Sequence, residues 1–102
     1  MTDFASIHPT ALIDPSSRIG QRVAIGPYVV IGPDCDVADD VRLGAHVTLQ
    51  QNTRIGKSTV VHSHACLGGD PQDISYRGET TWLEVGANCQ IREQVTLHRG
   101  SK

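Results

Sequence analysis

Three features predict an all-β chain, a parallel β-helix built of hexapeptide repeats. An aliphatic residue recurs at every sixth position, a small or β-branched residue follows four places later, and glycine and proline sit at fixed places between. The aliphatic series runs Ile7, Ile13, Ile19, Ile25, Ile31, Val37, Leu43, Leu49, Ile55, Val61 and Leu67. It resumes in the same register at Val85, Ile91 and Leu97. All 14 positions are Ile, Val or Leu, so the repeat is a selected one. Six is a multiple of the strand period of two, which puts the aliphatic and the residue four places on at the same face of an extended chain. A 3.6-residue helix would scatter these positions around its circumference.

Each hexad therefore reads as one short flat face followed by a bend. The early hexads place a bend at His8-Pro9 after Ile7, at Asp14-Pro15 after Ile13, at Gly26-Pro27 after Ile25 and at Gly32-Pro33 after Ile31. Glycine follows the aliphatic in 7 of the 14 hexads (Gly20, Gly26, Gly32, Gly44, Gly56, Gly68, Gly86), and these residues are expected to turn the corners. The reason is that Gly permits φ > 0 and Pro has no donor for a ladder. The second inward set is Ala11, Ser17, Val23, Val29, Cys35, Val41, Val47, Thr53, Thr59, Ala65, Cys89, Val95 and Ser101. The pattern resembles known hexapeptide-repeat proteins. That resemblance implies three faces per triangular coil of 18 residues and a left-handed winding, although the usual connection rule favours the right hand. Coils would stack about 4.8 Å apart, as neighbouring strands do.

Between Leu67 and Val85 the repeat breaks. The excursion, at about 70–82, carries charges, Pro71 and two of the four aromatics, Tyr76 and Trp82. A solenoid gains nothing in packing from such a segment, and insertions from repeat proteins often build a binding surface. The chain is thus expected to be one domain, residues 1–102, with this loop as its functional departure.

Composition sets the remaining limits. A net charge of −2 gives no electrostatic case for nucleic acid or an anionic membrane. No apolar stretch is long enough for a transmembrane segment, and the start has no signal-peptide pattern. Three cysteines without a C-x-x-C pair suit a reducing, cytoplasmic compartment, with Cys35 and Cys89 packed inward.

Histidine spacing gives a further expectation. His8 and His62 differ by three 18-residue coils and should share a corner column, and His46 and His64 should stack, pointing outward. His62 and His64 form an H-x-H pair that would point to one side of a strand, compatible with metal ligation. No third ligand stands at a matching spacing, so no metal site is expected.

The segment from Gln72 onward is more specific. Gln72-Asp73-Ile74-Ser75-Tyr76-Arg77-Gly78-Glu79-Thr80-Thr81, Leu83-Glu84-Val85-Gly86 and Ile91-Arg92-Glu93-Gln94-Val95-Thr96-Leu97-His98-Arg99-Gly100 resemble the UDP-N-acetylglucosamine O-acyltransferases of lipid A biosynthesis. That family shows Q-D-L-K-Y-x-G-E-P-T, E-I-G and I-R-E-x-V-T-I-H-R-G at the same intervals. Ile7-His8-Pro9-Thr10-Ala11 is similar to its start. The resemblance implies a cytoplasmic homotrimer with active sites between neighbouring β-helices. It also implies transfer of an (R)-3-hydroxyacyl group from acyl carrier protein to the 3-hydroxyl of UDP-N-acetylglucosamine. No cofactor is implied beyond the carrier's phosphopantetheine. Asp73 would contact the glucosamine ring, Gln72 would lie near the acyl chain, and His98 would line the cleft. Carboxylates accept hydrogen bonds from sugar hydroxyls, and imidazole can hold or take a proton near neutral pH.

Ser75 stands where the family usually has Lys, and Thr80 where it has Pro. The family's general-base histidine lies about one and a half coils past H-R-G, beyond Lys102, so no catalytic residue is expected within these 102 residues. The chain then reads as the N-terminal part of an acyltransferase, inactive alone. The alternatives are a non-catalytic trimeric β-helix and another hexapeptide acyl- or acetyltransferase or carbonic anhydrase, and the loop motif counts against the last group.

Overall fold

The computed structural model describes residues 6–69 and 82–99, without the side chain of His98. These residues contain no helix and 14 short strands. They are β1 (Ser6–Ile7), β2 (Leu12–Ile13), β3 (Arg18–Ile19), β4 (Ala24–Ile25), β5 (Val30–Ile31), β6 (Asp36–Val37) and β7 (Arg42–Leu43). Then come β8 (Thr48–Leu49), β9 (Thr53–Ile55), β10 (Val60–Val61), β11 (Cys66–Gly69), β12 (Leu83–Val85), β13 (Gln90–Ile91) and β14 (Thr96–His98). Every strand ends on or just after a repeat aliphatic, so the six-residue period and the strand period coincide.

The strands form three parallel sheets. The first runs β1-β4-β7-β10-β13, the second β2-β5-β8-β11-β14, and the third β3-β6-β9-β12. Successive strands of a sheet are 18 residues apart in sequence: Ser6 faces Ala24, Ala24 faces Arg42 and Arg42 faces Val60. Across the excursion the step becomes 30, with Val60 opposite Gln90 and Leu83 opposite Thr53. The difference of 12 is the length of chain inserted, and it equals two hexads. That is why the aliphatic register survives the loop unbroken.

The core is the inside of the triangular coil. Val23, Val29, Cys35, Val41, Val47, Thr53, Thr59 and Ala65 fill it beside Ile25, Ile31, Val37, Leu43, Leu49, Ile55, Val61 and Leu67, all buried. Both inward sets read from the repeat are therefore buried from Val23 to Leu67, while Ile7 in the first rung is exposed and Ser101 lies outside the described residues. In the end rungs the same positions are only partly covered, as at Ile13, Ile19, Val85, Ile91 and Leu97, because a neighbouring coil lies on one side alone. Burial of Cys35 raises its thiol pKa, which fits packing rather than reactivity.

The corners depart from expectation. From Ile19 onward, among the described corners, the left-handed residue is neither the hexad Gly nor the Pro but the third after the aliphatic. It is Arg22, Tyr28, Asp34, Asp40, His46, Asn52, Ser58, His64, Asn88 or Gln94, with φ between 50° and 66°. Most of these are Asp, Asn or His, which tolerate that region best among side-chain-bearing residues. The strain is held by hydrogen bonds between coils. His46 N–H donates to Pro27 O (2.9 Å), Asn52 to Pro33 (3.1 Å), His64 to Ala45 (3.1 Å) and Asn88 to Lys57 (2.9 Å).

Gly20, Gly26, Gly32, Gly44 and Gly56 serve a different purpose, close approach of the next coil. At Gly56 a Cβ would lie 2.6 Å from Ala87 N, and at Gly44 2.9 Å from Ser63 N. Of the hexad glycines only Gly68 has positive φ. No helix among the described residues is long and apolar enough to cross a membrane.

Candidate functional site

The excursion leaves from β11, and its departure is built by one glycine. β11 pairs with β14 in regular register at Cys66 with Thr96 and Leu67 with Leu97, then shifts so that Gly69 faces His98. Gly68 sits at φ 82°, and a Cβ there would strike the Thr53 hydroxyl, which donates to Gln51 O at 3.0 Å. No other residue type satisfies both demands. The irregularity breaks the regular pairing of β11 at its last residues, where the repeat itself stops.

Arg99 holds that turn. Its backbone N–H donates to the Gly69 carbonyl at 2.9 Å, and its side-chain Nε donates to the same oxygen at 3.4 Å. The residue is 3% exposed. Where the chain returns, the Arg54 guanidinium lies 4.5 Å from the centroid of the Trp82 ring and 3.4 Å from Glu84 Oε1. Leu83 N–H then donates to Asn52 O at 3.0 Å and re-enters the ladder. A shallow cleft of about 100 Å³ lies beside this return, between Arg18, Asp34, Asp36, Arg54 and Trp82.

Of the residues read as substrate-binding, the structure places the backbone of His98 directly across from Gly69, next to the loop exit. Gln72 and Asp73 lie outside the described residues. Two residues with structural consequences here carried no role in the sequence reading. Gly68 looked like any hexad glycine, and Arg99 was one letter of a motif. The available signal was that Arg99 occupies a hexad position held elsewhere by small, polar or proline residues, all of them except Gly69 at least partly exposed.

The remaining histidines form two separate features. The rings of Tyr28, His46 and His64 stack up one corner, with centroids 5.1 Å and 4.9 Å apart and planes 21° and 6° from parallel. The stacking of His46 on His64 was expected, and Tyr28 extends it. His8 and His62 fall in one column, each directly after a strand of the same sheet, β1 and β10. His62 and His64 do not share a strand, because β10 ends at Val61 and both lie in the corner. His62 Nδ1 instead faces Glu93 Oε2 at 3.7 Å, while His64 joins the ring stack. Among the described residues no three His, Cys, Asp or Glu side chains gather into a metal-binding group. His98, two nominal coils past His62, belongs to the second sheet, since 12 of the intervening residues are loop.

Comparison with known proteins follows the same lines. The family described as the GMPPB C-terminal domain matches residues 7–74. The acyl-[acyl-carrier-protein]--UDP-N-acetylglucosamine O-acyltransferase of Brucella ovis is 44% identical over 95 residues, covering 93% of this chain and 34% of that protein. Its counterpart from Brucella canis matches to the same extent. Among solved structures, LpxA from Acinetobacter baumannii is 46% identical with a TM-score of 0.91, over 93% of this chain and 37% of that one. LpxA from Bacteroides fragilis, a UDP-N-acetylglucosamine acyltransferase, is 36% identical with the same TM-score and coverage. The superposition gives this coil the left-handed winding of those structures. The chain spans about a third of the length of the curated relatives it matches. It belongs to the family described as the GMPPB C-terminal domain, and over nearly all its length it is similar to part of the UDP-N-acetylglucosamine O-acyltransferases.

Proposed function

We propose that these 102 residues are a portion of an acyltransferase. It moves an (R)-3-hydroxyacyl group from acyl carrier protein to the 3-hydroxyl of UDP-N-acetylglucosamine. The observation that carries this reading is the 44% identity over 95 residues. The Q-D and H-R-G motifs support it, and Gly69, three residues before Gln72 in sequence, pairs with His98.

In this reaction the sugar hydroxyl attacks the thioester carbonyl, an oxyanion forms, and the phosphopantetheine thiol leaves. The residues here would serve the acceptor. Asp73 takes hydrogen bonds from sugar hydroxyls, Gln72 offers its amide near the acyl chain, and His98 lines the same cleft. The base that deprotonates the hydroxyl is assigned to a residue outside these 102. The working assembly is a homotrimer in the cytoplasm, with acyl carrier protein as donor partner.

The test is a binding and turnover experiment on the purified chain. UDP-N-acetylglucosamine should bind saturably and Asp73→Ala should remove the binding, while acyl carrier protein thioester is not consumed. Light scattering at tens of micromolar should give three times the 11.0 kDa chain mass. Absence of nucleotide-sugar binding in a chain that is folded and trimeric would count against the reading. Turnover by the chain alone would move the base to His98, and His98→Ala should then abolish it.

A further inference from the structure

We propose that Arg99 is a positioning residue for the loop that carries Gln72 and Asp73, acting through the Gly69 carbonyl. This rests on the acyltransferase reading for its functional meaning, though its structural content stands apart from it.

A guanidinium that is 3% exposed has given up most of its hydration, and that loss is made good only by polar partners in good geometry. Arg99 meets the requirement in part by placing two donors, its backbone N–H and its Nε, on the single oxygen of Gly69. Burial is not general at this point of the repeat. The residue two after the aliphatic is partly or fully exposed at Pro9, Pro15, Pro33, Gln51, Lys57 and Glu93, and buried only at Gly69 and Arg99. Nor is burial general in this last rung, where Gln90, Arg92 and Glu93 are exposed.

A side chain needed only for packing would be apolar here, as it is at every other buried position except Thr53 and Thr59. Arg99 therefore fixes the direction in which the chain departs after the Gly68 turn, and with it the start of the segment three residues before Gln72. The same residue follows His98 in sequence, so one side chain ties the strand bearing His98 to the exit of the loop. At the return, Arg54 differs. Its side chain is 51% exposed and its ion pair with Glu84 is screened by water.

The experiment compares wild type, Arg99→Ala, Arg99→Lys and Arg54→Ala. Trypsin cleavage after Arg77 reports the loop, and far-UV circular dichroism reports the coil. Arg99→Ala should be cleaved roughly tenfold faster or more at a temperature where the coil signal is unchanged. Arg99→Lys, which keeps a charged donor but loses the fork, should lie between. Arg54→Ala should stay within about twofold of wild type. Equal cleavage of wild type and Arg99→Ala, with the coil intact, overturns the proposal.

Should Arg99→Ala lose the coil itself, amide exchange in wild type decides. The Arg99 N–H should exchange roughly a hundredfold or more slower than an unstructured amide, and free exchange overturns the proposal. UDP-N-acetylglucosamine binding about tenfold weaker in Arg99→Ala, with partial rescue by Arg99→Lys, supports the positioning role. If wild type shows the cleavage difference but binds no nucleotide sugar, the clamp on Gly69 stands and the acyltransferase reading falls.

Discussion

Replacing Gly56 and Gly86 with alanine should move stability in opposite directions, although both follow a repeat aliphatic in the same sheet column. Neither has a positive φ, so backbone conformation does not separate them. Space does. An alanine Cβ at Gly56 would sit 2.5 Å from Gly86 C and 2.6 Å from Ala87 N, both backbone atoms of the next coil that cannot rotate away. Reaching ordinary contact requires the two coils to separate locally by most of an ångström. That sacrifices the Gly56 N–H bond to Val85 O, now 2.7 Å. Overpacking of this kind costs about 1–3 kcal/mol. At Gly86 the nearest atom to a new Cβ is Cys89 Sγ at 3.8 Å, an ordinary contact. The same change there should stabilise by about 0.4–1 kcal/mol, through the reduced freedom of the unfolded chain.

Urea unfolding followed by far-UV circular dichroism reads both changes as midpoint shifts at constant slope. Gly56→Ala should move the midpoint down and Gly86→Ala slightly up. A neutral Gly56→Ala would refute the crowding account. Equal loss from both variants would mean that glycine is needed at this position for its backbone after all.

Leu49→Ala should cost about 3–5 kcal/mol, because Leu49 is fully buried between rungs that cannot collapse onto the cavity, and Leu97→Ala about half as much in the partly covered end rung; equal costs would contradict the burial gradient. Acid should weaken the fold through carboxylates held below their ordinary pKa. Asp40 is lowered chiefly by the hydrogen bond from Arg22, at 2.7 Å from Nε, and Asp14 by the Ser16 N–H. The folded state binds fewer protons than the unfolded one there. Their contribution is therefore complete above the ordinary carboxylate range near 3.8 and is lost as pH falls through the lower folded values. Asp40→Asn should flatten that decline in a pH series of unfolding midpoints, and an unchanged slope would remove Asp40 from the account.

The sequence alone determined the architecture because the repeat is a physical instruction at each residue. An aliphatic every six residues with a small residue four later can be buried together only on the inside of a flat-sided coil. The positions from Val23 to Leu67 are buried as that logic requires. The stacking of His46 on His64 followed from the same arithmetic, since side chains 18 apart must lie one above the other.

The corner chemistry was not legible. Gly and Pro mark turns in most contexts, yet here positive φ falls on Asp34, His46 and Asn52, because inter-coil hydrogen bonds hold them there. Gly56 is glycine because of an atom 30 residues away in sequence, a fact that no local pattern contains. The column of His98 was also undetermined, since an 18-residue gap from Leu67 to Val85 fits either a full coil or one hexad plus a 12-residue loop. Only the pairing of Leu83 with Thr53 decides it. The role of Arg99 waited on the same step, because the Gly69 carbonyl becomes its partner only when β11 and β14 lie side by side.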